Sequence, residues 1–151
     1  MGLDMYLCKR TYVKNWDYMR AEARHTVTIT GPHAEAIKPS RIAYIEEEVG
    51  YWRKANAIHR WFVEHCQEGV DDCQTAYVER EQLVTLRDTC DTVLKNREQA
   101  MELLPPMAGF FFGGTDLDEG YWWTIEETRD LLTALLDEPY EDSSFHYHAS
   151  W

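Results

Sequence analysis

Apolar and polar residues alternate at the start of the chain, with Leu3, Met5 and Leu7 set against Asp4, Tyr6 and Cys8. That period of two predicts a β-strand over residues 2–8 with one buried face. Thr26 to Thr30, reading TVTIT, gathers β-branched residues before the Gly31-Pro32 turn signal and predicts a second strand. Residues 9–25 between them show no clear period.

Pro39-Ser40 offers a helix start, with Ser40 as N-cap and Glu46, Glu47 and Glu48 in the early turns, and the pattern predicts one long helix from there to about Cys66. Gly50 inside it costs up to ~1 kcal/mol relative to alanine, so a bend or a close neighbour is expected there. Asp71 and Asp72 open a loop that passes into a strand through CQTAYV. From Arg80 to Leu94, the residues Leu83, Leu86, Cys90 and Val93 fall at spacings of three, four and three, the stripe of an amphipathic helix. A short continuation through Met101 stops at Pro105-Pro106.

The run AGFFFGG, residues 108–114, predicts a buried strand closed by glycines, since three consecutive aromatic rings are costly to solvate together. Thr124 and Glu127 read as a capping box for a helix whose apolar face continues through Leu131, Leu132, Leu135 and Leu136 and which ends before Pro139. In the tail, Phe145, Tyr147 and Ala149 alternate with His146, His148 and Ser150, predicting a final strand. The sum is an α+β fold in a single domain, residues 1–151: one small sheet of four or five short strands covered by three main helices.

Composition agrees with a globular core, at 44% hydrophobic and 13% aromatic residues. No stretch has the h-region of a signal peptide or the length of a membrane span, so a cytoplasmic protein is expected. Cys8, Cys66, Cys73 and Cys90 form no CxxC pair and read as reduced thiols. His65, Cys66, Asp71, Asp72 and Cys73 contain metal-ligand chemistry, but their spacing matches no common zinc pattern, and neither a metal nor a cofactor is expected.

The formal charge of −12 conceals an asymmetry. Residues 1–60 hold 10 Lys/Arg and 7 Asp/Glu, whereas residues 61–151 hold 5 and 20. So acidic a second part disfavours direct nucleic-acid binding.

The densest basic cluster lies in YWRKANAIHRWF, residues 51–62. In the predicted long helix, Trp52, Asn56, His59 and Val63 share a stripe. Arg53, Asn56, His59 and Arg60 then suit a phosphate or carboxylate, with Tyr51 or Trp52 stacking on a base. The competing reading pairs Arg53 and Arg60 with nearby glutamates and makes Asn56 and His59 a satisfied buried pair. A second constellation is GFFFGGTDLDEGYWW, residues 109–123, where Gly113-Gly114 bring backbone N–H groups near a ligand and Asp116, Asp118 and Glu119 offer carboxylates. It matches neither a P-loop nor a dinucleotide fingerprint. In this loop Trp122 and Trp123 read as packing residues, although one exposed indole suits a partner interface.

No GxSxG, HExxH or deaminase signature is present, which leans the reading away from an enzyme. A minority alternative has His59, His146 and His148 converging as acid and base.

MGLDMYL at the start, EEVGYWRKANAIHRWF, GFFFGG and the aromatic tail ending in SW together resemble a family of small, largely uncharacterised bacteriophage and prophage proteins. The resemblance implies action in the host cell, including counteraction of its defence systems by stoichiometric binding. Two mechanisms follow. One sequesters a nucleotide-like ligand, for which a pocket at a homodimer interface is a common arrangement. The other occludes a host defence protein with an acidic surface that mimics nucleic acid. The alternatives are a small enzyme acting on a nucleotide and a structural component of the virion. No membrane partner is implied.

Overall fold

The computed structural model describes residues 2–151. Four strands, β1 (Asp4–Tyr12), β2 (Tyr44–Arg53), β3 (Ala76–Val78) and β4 (Ser143–Ser150), form one antiparallel sheet in the order β2-β1-β4-β3. Four helices complete the α+β fold: α1 (Asn56–Cys66), α2 (Arg80–Lys95), the single turn α3 (Ala100–Leu103) and α4 (Glu119–Leu136). Among the described residues, no helix is long and apolar enough to cross a membrane.

The two central strands are the two with the clearest alternation. Leu3, Met5 and Leu7 from the β1 segment and Phe145, Tyr147 and Ala149 from β4 all point to one face and are buried there. The helices pack on that face. The Phe62 ring of α1 stacks on Tyr147 at 4.0 Å, and Trp52 of β2 meets α4 through a 2.9 Å hydrogen bond from its indole Nε1 to Thr128 Oγ1. Helix α2 buries Leu83, Leu86, Cys90 and Val93, the stripe its sequence predicts, at ~1.5–3 kcal/mol for each large apolar side chain removed from water. Its start is a capping box: Glu79 N–H donates to the Gln82 side chain at 2.8 Å, and the Glu79 carboxylate caps in return.

The predicted long helix over residues 40–66 is corrected. Its first part is strand β2, and the helix begins only at Asn56. Tyr, Ile, Val and Trp in this run favour a pleated surface, and pairing with β1 sets Glu46 3.7 Å from Arg10. Gly50 serves a β-bulge rather than a helix bend. The register shifts there, so that Leu7 faces Gly50 and Cys8 faces Glu48, leaving Val49 as the extra residue. A Cβ at Gly50 would lie 3.0 Å from the Trp52 ring and 3.3 Å from Leu7 Cβ.

Two predicted strands are absent. TVTIT lies in a long arm, residues 13–43, with three short 3-10 turns and no sheet partner; β propensity without pairing makes no strand. The arm is tied by Asn15, which bonds the backbone of His25 in both directions (2.7 and 2.8 Å), and by Arg24, which donates to the carbonyls of Trp16, Asp17 and Met19. AGFFFGG forms a bent loop because Phe111 (φ 64°) and Gly113 (φ 89°) adopt left-handed backbone. Only Phe112 is buried; Phe110 is 80% exposed and packs edge-on against half-exposed Phe111. Helix α4 also starts earlier than Thr124, capped by the Asp118 carboxylate, which accepts from Tyr121 N–H at 3.0 Å.

Candidate functional site

The joint between β2 and α1 determines where the sequence-predicted residues go. Strand alternation turns Trp52 into the core and leaves Tyr51 and Arg53 on the opposite face. There the Tyr51 hydroxyl donates to Asp4 Oδ1 at 2.6 Å, and the Arg53 guanidinium lies 3.5 Å from the same carboxylate. Lys54 then reverses the chain with φ 56°, a conformation that is strained for a residue with a Cβ, and α1 begins two residues later. Trp52 and Asn56 therefore do not share a helical stripe; only the residues from Asn56 onward do.

Asn56 and His59 are both buried and satisfied, though not by each other. The Asn56 amide Nδ2 donates to the carbonyls of Phe112 (3.0 Å) and Gly114 (2.9 Å), while its Oδ1 accepts from Met107 N–H (3.0 Å). It clamps the 107–114 loop to α1. His59 Nε2 lies 2.9 Å from Asp71 Oδ1, and Nδ1 lies 2.6 Å from the Tyr147 hydroxyl. A carboxylate only accepts, which assigns the ring proton to Nε2 and leaves Nδ1 to accept from Tyr147. Burial lowers the His59 pKa, opposed by the Asp71 charge, and raises that of Tyr147 well above the phenol value. Trp151 Nε1 also donates to Asp71, at 3.1 Å. Arg60 points away from this network, bonded to Glu64 at 2.8 Å.

The three-histidine alternative is corrected by the sheet itself. His59 reaches the inner face, whereas His146 and His148 alternate onto the outer face. The His65, Cys66, Asp71, Asp72 and Cys73 set is likewise dispersed: Asp71 serves His59, the His65 ring stacks on Trp61 at 4.3 Å, and burial pushes the Cys66 thiol up to about 12. Among the described residues, no group of three or more His, Cys, Asp or Glu side chains is placed to hold a metal ion.

What the fold does bring together is the two segments that stood apart in the sequence. A cleft of about 330 Å³ lies between the β2–α1 joint and the start of α4, lined by Arg53, Lys54, Asn56, Gly113, Asp116 and Trp123 among others. A second hollow of about 280 Å³ adjoins it, sharing Arg53, Ala55, Trp123 and Thr124 and adding Tyr51, Trp52 and Glu127. Four of the six predicted residues, Tyr51, Trp52, Arg53 and Asn56, thus border one groove; His59 and Arg60 do not.

The chemistry of the groove suits an anion with a planar ring. Ala55 gives α1 no side-chain cap, and the backbone N–H groups of Asn56, Ala57 and Ile58 meet no acceptor among the described residues. Lys54 adds positive charge beside them, while the Arg53 guanidinium is shared with Asp4 3.5 Å away. The Trp123 indole is 61% exposed on the rim, available for stacking. Three carboxylates also line the two hollows, Asp116, Asp118 (which accepts its helix-cap bond) and Glu127. Gly113 and Gly114 line the cleft, Trp123 is the exposed indole of the Trp122-Trp123 pair, and Lys54 is the chain reversal that the sequence does not reveal. A lone lysine carries no signal for left-handed backbone.

The acid excess lies on the helices and their connecting loops. All five Lys/Arg of residues 61–151 are engaged there: Arg87, Lys95 and Arg129 in ion pairs, Arg80 over the Tyr140 ring and Arg97 over Trp122. Set against known proteins, the chain matches no protein family, no curated protein and no solved structure.

Proposed function

We propose that the protein is a phage accessory protein that acts in the host cell by stoichiometric binding, holding an anionic, nucleotide-like ligand in the groove between the β2–α1 joint and the start of α4. The observation that carries this reading is the convergence of an uncapped helix start, Lys54 and an exposed indole on one hollow, with Arg53 shared with Asp4 and the carboxylates of Asp116, Asp118 and Glu127 on the remaining walls. Its volume of about 330 Å³ lies at the lower end of small-ligand pockets. Arg53 and the α1 amides take the phosphate, Trp123 and Tyr51 flank the base, and Asp116 accepts from a hydroxyl or amine. Turnover would have to rest on Lys54, Asp116, Asp118, Thr124 or Glu127, the acid–base and nucleophilic side chains on the walls, and the released product distinguishes it from binding. The phage context and the counteraction of a host defence signal rest on the sequence resemblance.

The test is to incubate the purified protein with host extract, wash, denature by heat and identify released small molecules by mass spectrometry. An intact nucleotide, lost in Arg53→Ala and Trp123→Ala, supports the proposal. A chemically converted product returns the reading to an enzyme. Release of nothing small, with host protein retained on the beads, turns it to occlusion by the acidic helices.

A further inference from the structure

The helices pack on one side of the sheet and leave the other without a helical layer, the arm reaching it only at its far end, where Trp16 Nε1 donates to the Tyr12 hydroxyl at 2.7 Å. On that outer face Tyr51, Tyr6 and His148 form a ladder across β2, β1 and β4, with ring centroids 5.4 and 4.9 Å apart. The next row carries Glu48, Cys8, His146 and Tyr77 across all four strands. Tyr44 closes the face at its far end under the Arg10 guanidinium. Tyr44, Tyr51 and Tyr77 are 53%, 46% and 60% exposed. Tyrosine supplies large amphipathic contact area with few rotatable bonds, and an uncovered row of such rings is unusual on a monomer's surface.

Charge decides what covers it. In a chain of net −12, this face is nearly neutral: Arg10 lies 3.7 Å from Glu46 and Arg53 3.5 Å from Asp4, leaving Glu48 as the odd carboxylate. A nucleic acid laid here would meet three carboxylates against two guanidiniums. A basic partner would be drawn instead to the helical layer. A second copy of the chain suits both facts, because face-to-face packing joins the two neutral aromatic surfaces and turns both acidic layers outward.

We infer that the protein self-associates through this outer sheet face, as an isologous dimer in which two sheets stack about 10 Å apart. Strand length and spacing give on the order of 500 Å² of face per copy, about 1,000 Å² in total, at the lower bound of a specific interface. The dimer is therefore weak and concentration-dependent. The driving contact is aromatic, so added salt leaves it standing.

Sedimentation velocity over a wide concentration series tests this, with the Tyr44→Glu/Tyr77→Glu double variant beside wild type and circular dichroism confirming the fold. Wild type passes from monomer to dimer as concentration rises, and the double variant shifts that transition to at least ~10-fold higher concentration. Tyr77→Ser, which removes a ring without adding charge, shifts it in the same direction. A wild type that stays monomeric throughout, or a dimer of undiminished strength in both variants, overturns the inference.

Discussion

The Asn56 side chain holds the Gly114 carbonyl at 2.9 Å, and through that bond and its two companions a helix start and a distant loop become opposite walls of one groove. Replacing Asn56 with leucine strands the carbonyls of Phe112 and Gly114 and the Met107 N–H. With ~1–3 kcal/mol for each buried group left unsatisfied, and partial relief by water at the groove, the expected loss is about 2–4 kcal/mol in urea denaturation. Hydrogen exchange should show the 107–114 amides opening first.

His59 gives stability a pH dependence whose sign follows from burial. Its folded-state pKa is lowered from the ordinary 6.5, so the unfolded chain takes up the proton first as pH falls. The contribution of the neutral, hydrogen-bonded ring is whole above that ordinary value and is lost as the pH falls through the folded-state value. Melting temperature should therefore drop as the pH falls below about 6.5, and His59→Gln should flatten that part of the curve while lowering stability at neutral pH. An unchanged slope in the variant would remove His59 from the account.

The bulge at Gly50 predicts a packing defect from a single methyl group. Gly50→Ala puts a Cβ against the Trp52 ring and Leu7, where the sheet is closest to its own side chains. Overpacking of this kind costs ~1–3 kcal/mol, and chemical denaturation should register it; a neutral substitution would mean the bulge relaxes freely.

Phe110 makes the opposite case. It is 80% exposed and packs only against Phe111, so Phe110→Ser should change stability by no more than ~0.5 kcal/mol. A large loss would restore the buried-strand reading of this segment.

Where one face of an element is buried, the sequence reads clearly. Leu3, Met5 and Leu7 and the tail from Phe145 to Ala149 announce the two central strands, and the Leu83-to-Val93 stripe announces α2, because burial on one side imposes a period. Strand β2 is hidden for a physical reason. Trp52, Asn56, His59 and Val63 keep helical spacing across a strand–helix joint, and the reversal between them falls on Lys54 rather than on a glycine or proline. The three phenylalanines mislead because their loop breaks alternation at Phe111. Both walls of the groove were visible as residues, but only pairing of β2 with β1 and the Asn56 clamp bring them together.

The central claim is the anion groove, and isothermal titration of a panel of mono-, di- and cyclic nucleotides against wild type, Arg53→Ala and Trp123→Ala tests it most directly. The account predicts at least one one-site binder, weakened ~5- to 150-fold by either substitution, as loss of a charge-assisted bond or a stacked ring of ~1–3 kcal/mol requires. Absence of any binder, or a binder held with full affinity by both variants, would contradict it.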